Sequence, residues 1–443
     1  MLTTNDNELL TRVGPGTPGG AVIREYWLPF LLSSELTADG SPLRMRLLGE
    51  DLIAFRTAAG DIGLVQNACP HRGASLFFGR NEEEGLRCVY HGWKFDVNGA
   101  CVDMPSEPAE SNFKSKVRAL AYECRERNGV VWTYMGRRSP APPMPQLEWN
   151  LMPPEQCYVS KRVQRCNWFQ ALEGGIDSSH SNFVHAPLRP EENPGEGRAI
   201  FRITSKSLHF ETRTTQYGVI VANRRPADEG NVYWRMNHYV MPFYTMFPPT
   251  GSRPDTPISG HAWVPIDDKE TLVFHWSYNP RQPFNERQLE TMQHGVNGLD
   301  GFHLSLESHL EPTMGPHGTW YPKQRAENDY LIDYEAQRTI RFSGVPGGWN
   351  QDAAVQESMG SITERTREHL GTSDTGIIAA RRYFIDATKA MRDAGTFPPG
   401  SEDASLFLIR PAEAVLSAGA DWLQELNAGA LAPKLAPVPV TTR

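Results

Sequence analysis

Cysteine is scarce in this chain, with six residues in 443. So few thiols over such a length argue against a disulfide-stapled fold. Long apolar runs are missing as well. No stretch approaches the roughly 18 consecutive apolar residues that a membrane span needs, so no membrane-embedded segment is expected. There is no basic surplus: 44 Lys and Arg stand against 52 Asp and Glu, a formal net charge of −8. A nucleic-acid groove needs a cationic stripe, and none is present. The opening residues, MLTTNDNELLTRVGPGTPGG, lack the charged-then-apolar layout of a secretory leader. Cytoplasmic residence is the resulting expectation.

What is present reads as globular protein of two or three domains, 39% hydrophobic and 22% charged. Residues 1–25 are polar and Gly-rich, with one short helix expected near Asn7–Val13. From Arg44 to about Gly136, short strands alternate with turns. Met45–Leu48, Leu52–Arg56, Ile62–Val65 and Val130–Tyr134 are the clearest, and Trp93–Val97 runs into an Asn98–Gly99 hairpin signal. This block is expected to be compact and all-β. Gly136–Pro154 carries six prolines and reads as a linker. A helical stretch over Asn167–His185 follows. Strands are then expected at Leu208–Thr215, Val219–Asn223, Val232–Val240 and Thr271–Tyr278. Apolar residues at spacings of three and four predict a helix over Gly376–Gly395. Ala428–Arg443 reads as a loosely held tail.

Two of the six cysteines sit in a pattern with histidines. Cys69-Pro70-His71 is followed, after sixteen intervening residues, by Cys88-Val89-Tyr90-His91. Each loop offers one thiolate and one imidazole. A [2Fe–2S] cluster with two thiolates on one iron and two imidazoles on the other needs this donor set. Structural zinc is the competing reading, although zinc sites favour two cysteines on one turn. Two unrelated buried Cys–His pairs are the bland alternative. Cys101, Cys124, Cys157 and Cys166 show no such spacing and read as ordinary thiols.

A second group lies in the 167–185 segment. At helical spacing Glu173, Asp177 and His180 share one face, and His185 follows just before Pro187. Two histidines and one carboxylate on one side of Fe(II) leave positions open for O2. Asp177 is too near the histidines to be the obvious carboxylate. The carboxylate should come from elsewhere in the chain; Asp352, which opens a helical stretch, Asp329, Asp333 and Glu357 are the candidates, and the resemblance described next favours Asp352. His209, His238, His261 and His275 stand singly and read as satisfied core residues.

The segments CPHRGASL and CVYHGWKFD, the Asp177-x2-His180-x4-His185 pattern and QDAAVQESMG resemble the large (alpha) subunit of Rieske non-haem iron ring-hydroxylating oxygenases. The opening and QDAAVQESMG are similar to the phthalate dioxygenase-like branch. The resemblance implies an α+β fold. An all-β Rieske [2Fe–2S] domain would stand beside a catalytic domain with a curved antiparallel sheet around a helix (helix-grip, START-like). It implies an N-terminal segment over 1–25 packing on the catalytic domain, the Rieske domain over 26–140 and the catalytic domain over 141–443. Cluster ligands Cys69, His71, Cys88 and His91, iron ligands His180, His185 and Asp352, and Asp177 as the bridge between centres follow from it. Tyr90 and Trp93 would cover the cluster, and Asn167 and Glu173 match family positions.

The implied partners are an NAD(P)H-dependent flavin and iron–sulfur reductase, O2 and a small aromatic substrate. The implied assembly is a homotrimer or stacked-trimer hexamer. The branch leans toward aromatic carboxylates, which an arginine suits best. Arg235, on one strand face with Tyr233, Asn237 and Tyr239, is the first candidate and Arg213 the second. Ser179, with Ser178, is placed to add hydrogen bonds. The expected reaction is cis-dihydroxylation. The rivals are O-demethylation by a Rieske monooxygenase and a Rieske electron carrier without oxygenase activity.

Overall fold

The computed structural model describes residues 1–108, 110–192, 197–203, 205–249, 256–295 and 302–427. The expected Ala428–Arg443 tail lies outside the described residues. The chain opens with two helices, α1 (Thr4–Thr11) and α2 (Pro18–Arg24). The sequence predicts only one there. Thr3 caps the first three residues earlier than expected, and Thr17 caps the second with Pro18 at its first position.

Strands β1 (Trp27–Leu32), β2 (Leu43–Leu47), β3 (Glu50–Arg56) and β4 (Ile62–Gln66) follow. Next come the short β5 (Arg80–Glu82), β6 (Gly85–Arg87), β7 (Lys94–Asp96) and β8 (Cys101–Asp103), then β9 (Ala121–Arg127) and β10 (Val130–Tyr134). They form an antiparallel sheet in the order β1-β10-β9-β4-β3-β2 and a smaller one running β5-β6-β7-β8. Ile53, Phe55, Val65, Leu76, Leu86 and Phe95 pack between them as one core that also buries Cys69, Cys88 and Trp93. The cysteine loops thus project from a rigid apolar base.

Beyond the proline-rich stretch and α3 (Glu148–Leu151) lies a larger antiparallel sheet. Its strands are β11 (Cys157–Gln164), β12 (His209–Thr214), β13 (Gly218–Pro226), β14 (Asn231–Val240), β15 (Tyr244–Phe247), β16 (Ile258–Pro265), β17 (Thr271–Tyr278) and β18 (Ala412–Ser417). The order is β11-β17-β16-β15-β14-β13-β12, with β18 paired to β14. Strands β11, β15, β16 and β18 are not predicted from sequence. β16 carries Gly260, His261 and Pro265, which mask its strand character.

Helix α4 (Trp168–Ile176) packs on β15 and β16. The helices α5 (Glu286–His294), α6 (Tyr334–Thr339), α7 (Gly348–Ser358), α8 (Thr375–Ala394) and α9 (Trp422–Asn427) complete the described chain. Trp168 and Phe169 on α4 meet Phe384 on α8 with ring centroids 5.0 and 6.0 Å away. Helix α8 matches its predicted span and ends on left-handed Gly395. Among the described residues no helix is long and apolar enough to cross a membrane.

Helix α4 does not run to His185 as the sequence suggests. Gly174 and Gly175 weaken its last turn. The Asp177 carboxylate then accepts the Ser179 N–H at 2.7 Å and the His180 N–H at 3.3 Å, a local alternative to helical bonding. Asp177 is therefore the residue that caps α4, and His180–Asn182 form a separate short turn.

Glu173 locks α4 to the C-terminal part. Its Oε1 lies 2.7 Å from Arg381 Nε and 3.3 Å from Arg365 Nε, and both arginines are buried. Glu173→Gln is expected to cost about 3 kcal/mol, because it leaves buried guanidinium charge short of a counter-ion. Calorimetry on the metal-loaded protein checks this as a lowered thermal midpoint; an unchanged midpoint would contradict it.

Candidate metal centres

The two cysteine loops are built alike. Gly73 N–H donates to the Cys69 carbonyl at 2.9 Å, and Gly92 N–H to the Cys88 carbonyl at 3.0 Å. Both glycines have positive φ, +77° and +80°, which folds each loop back without a Cβ penalty. The Cys69 and Cys88 side chains are buried, and the histidines lie nearer solvent. His71 and His91 meet with centroids 4.4 Å apart, and Trp93 stacks on His71 at 4.3 Å. Tyr90 lies beside His91 at 3.9 Å and is exposed.

This arrangement fits a two-iron cluster. Burial, opposed by the His71 N–H and reinforced by adjacent Cys88, pushes the Cys69 thiol up to about 11. A thiolate there needs a cation against it. The buried His71 Nδ1 has no hydrogen-bond partner among the described residues. A single zinc fits poorly, because tetrahedral donors lie about 4 Å apart or less. Among the described residues, the only three-ligand group whose donor atoms all fall within 4.8 Å of one another is His180, His185 and Asp352.

That second group comes from two separate segments. The turn after α4 supplies the histidines, and α7 supplies Asp352. The two Nε2 atoms are 3.3 Å apart, and Asp352 Oδ1 is 3.1 Å from His185 Nε2 and 3.5 Å from His180 Nε2. Burial raises the Asp352 carboxyl, but the His185 and His180 imidazoles and the Arg162 guanidinium hold it below its ordinary value. An ionised oxygen beside two imidazoles in one compact group suits Fe(II).

Both imidazoles are held from behind. His180 Nδ1 lies 3.3 Å from Asp177 Oδ2. His185 Nδ1 lies 2.7 Å from Gln351 Oε1, and the Gln351 amide nitrogen donates to the Val345 carbonyl at 2.9 Å. That second bond fixes which end of the amide faces His185. A carbonyl oxygen only accepts, so His185 carries its proton on Nδ1 and leaves Nε2 free for a metal. Sequence reasoning passes over Gln351, although it adjoins Asp352. Gln351→Leu is expected to weaken iron binding about 10- to 100-fold while leaving the cluster chromophore intact. Chelator titration with iron assay checks this, and unchanged affinity would contradict it.

The ligand-bearing elements are clasped together. Gln164 Nε2 donates to Gln356 Oε1 at 2.6 Å, and Gln170 Nε2 to the Gln356 carbonyl at 2.6 Å. A methyl group at Gly174 would overlap the Gln356 amide, and one at Gly175 the Thr245 hydroxyl.

The three donors open onto a cavity of about 410 Å³. Its lining also includes Arg202, Arg235, Asn237, Phe247, His261 and Trp263. Arg235 is where the sequence suggests. Arg213 is exposed on β12 near Trp422, so it does not reach the cavity. Ser178, not Ser179, lines the cavity. Its Oγ accepts from Asn223 and Asn237 at 2.9 and 3.1 Å, whereas the Ser179 N–H is spent on Asp177. Arg202 is a residue the sequence reading misses, because no periodic pattern surrounds it. His261 is another, since it lines the cavity instead of serving only the core.

Two of the three competing acids are engaged elsewhere. Asp333 caps α6, and Glu357 accepts from the Tyr330 hydroxyl at 2.6 Å and the Arg165 N–H at 3.0 Å.

A family model described as Rieske [2Fe-2S] domain matches residues 26–121, and one described as LigXa C-terminal domain like matches 133–431. The chain is 40% identical over 425 residues to the 3-chlorobenzoate-3,4-dioxygenase oxygenase subunit of Comamonas testosteroni, covering 95% of this chain and 97% of that one. It is 35% identical over 431 residues to the phthalate 4,5-dioxygenase oxygenase subunit of Pseudomonas putida, covering 95% and 94%. Among solved structures, dicamba monooxygenase bound to dicamba superposes with a TM-score of 0.55 at 17% identity, over 84% of this chain and 99% of that chain. At that identity the likeness concerns the fold.

Proposed function

Because the chain belongs to the Rieske non-haem iron oxygenases, as an oxygenase subunit of the ring-hydroxylating kind, we propose that it cis-dihydroxylates an aromatic carboxylate. When bound, the cluster and the single iron supply electron transfer and oxygen chemistry. The chain's own residues hold, orient and shield. In this reading Cys69, His71, Cys88 and His91 hold the cluster. His180, His185 and Asp352 hold the iron, and Asp177 links the centres.

One observation carries the substrate class: buried cationic charge in the cavity wall. Burial first, and neighbouring Arg235 second, push Arg202 down to about 10. Arg225 does not line the cavity but lies behind Asn182, which does, at 3.5 Å; burial likewise lowers it to about 10, with Arg235 and Arg202 adding to this and Tyr233 opposing. Arg202 and Arg225 remain cations at neutral pH. Glu413 lies among them, shared between the Tyr233 hydroxyl at 2.6 Å, Arg198 at 3.4 Å and Arg235 at 3.8 Å. A carboxylate bound in the cavity relieves this repulsion and gains charge-assisted hydrogen bonds. Asn237 and Ser178 orient it, and Phe247 and Trp263 present apolar faces to a ring.

The proposal extends to the assembly. The domains divide at 1–25, 26–140 and 141–443. An NAD(P)H-dependent flavin and iron–sulfur reductase feeds the cluster. The chains form a homotrimer or stacked trimers in which one subunit's cluster serves its neighbour's iron. Exposed apolar side chains support this at both ends of such a contact: Val89 and Tyr90 beside the cluster, and Phe183, Phe342, Val355 and Met359 around the iron site.

The test is a substrate panel with NADH, a generic reductase and labelled O2, read by mass. Benzoate- and phthalate-type acids should yield dihydrodiols carrying two labelled oxygens, and their methyl esters little. Equal turnover of the esters, or loss of a methyl group in place of dihydroxylation, would overturn the reading.

A further inference from the structure

Strands β16 and β17 are buried along their whole length, and β11 from Ser160 onward. Such strands ordinarily carry apolar side chains. One face of this trio carries hydroxyls and imidazoles. Register sets them in two rows. Ser160 lies opposite His275, and His275 opposite His261. Two residues along, and so on the same face, Tyr158 lies opposite Ser277, and Ser277 opposite Ser259.

His303 lies over both rows. Its Nδ1 is 2.7 Å from Ser160 Oγ and its Nε2 is 3.0 Å from Ser277 Oγ. Ser277 Oγ is 3.1 Å from Ser259 Oγ, and His275 Nδ1 is 3.0 Å from His261 Nε2. The His275 and His303 rings meet edge to face with centroids 4.3 Å apart. Burying so many polar groups is costly unless they bond one another. The inner end of this ladder, His261, lines the cavity. The outer end is Tyr158, half-buried on edge strand β11, with its ring 4.7 Å from His303.

We propose that this ladder is the cavity's proton entry path, an inference that rests on the oxygenase reading. Each O2 consumed takes two electrons and two protons. An aromatic C=C, O2, two electrons and two protons give a diol; a C–H bond in its place gives an alcohol and water. The electrons arrive through the cluster from the reductase. The protons must reach a cavity whose wall, besides the metal group and Asp177, carries Lys206, two arginines, which do not release theirs, serines, asparagines and apolar rings. Imidazole exchanges protons near neutral pH, and hydroxyls both donate and accept. At each handover one N–H or O–H bond breaks as the next forms. A small turn of the His275 or His303 ring passes the proton across their contact. Uptake from solvent beside Tyr158 resets the chain.

His275 lines neither the cavity nor the metal group, so it is the place to cut. In the holoenzyme, His275→Phe is expected to keep native iron content and cluster spectrum. Single-turnover product formation should slow about 100-fold, with an increased solvent deuterium isotope effect. His303→Gln, which keeps a hydrogen-bonding partner for the two serines, is expected to do the same and decides the matter if the Phe variant does not fold. Native rate in either folded variant overturns the relay. So does a slowed rate with an unchanged isotope effect, which marks a structural role. The unmodified protein is run alongside; if it forms no oxygenated product, the oxygenase reading falls first and the relay with it.

Discussion

Asp177→Asn is expected to retain both metal groups and lose about 100-fold in product formation. The carboxylate is poised for a charged role. Burial raises its pKa, but the His180 imidazole and the Ser179 and His180 N–H groups outweigh burial and hold it below the usual value. Asparagine has nearly the same shape and no charge. Turned either way, its amide sets donor against donor. It faces the Ser179 N–H at one oxygen position or the His180 Nδ1–H at the other. The iron keeps His180, His185 and Asp352, while the imidazole loses the anion that holds it and raises its basicity. Iron assay, cluster spectrum and single-turnover product together test this. Native turnover in the variant would remove Asp177 from the path between centres.

Arg235→Met should lower the efficiency of aromatic acids about 100-fold, mainly through KM, with iron and cluster retained. A charge-assisted pair in a buried wall contributes about 2–3 kcal/mol, and methionine keeps the apolar stem without the charge. Arg235 now donates to the Pro248 and Pro249 carbonyls at 3.1 and 3.4 Å, which aims its guanidinium across the wall. Preference for acid over methyl ester should collapse toward one. Arg202→Met is expected to act in the same direction. Arg235→Lys should not restore the acid, because an ammonium lacks the planar fork that grips both carboxylate oxygens. If acid and ester both decline equally, the arginine supports the wall and does not read charge.

Sequence made the cluster loops legible because all four donors and both glycines are local. His180 and His185 were legible for the same reason. Asp352 lies about 170 residues away on α7, and only resemblance singled it out over Glu357. Periodicity runs the helix through Asp177 because it says where a face lies and not where a side chain takes the next N–H. Ser178 against Ser179 turned on that same early stop. Arg202 lies in a short irregular helical stretch with no repeating pattern to aim it. The ladder histidines stand singly in the chain, so sequence alone does not pair them. His261 and His275 become partners only through the β16–β17 register, which is set by pairing across a turn, and His303 joins them from outside any regular element.

The clasp between α4 and α7 constrains how such a chain diverges. Glutamine bridges from β11 and α4 to α7, and two glycines at which a methyl group would meet Gln356 and Thr245, hold the donors in one arrangement. The part of the cavity lining that bears Arg202, Arg235, Asn237 and Phe247 contributes no donor to that metal group. Selection for new aromatic substrates, in nature or in a directed library, should collect its successes there and return almost none from Gly174, Gly175 or Gln356.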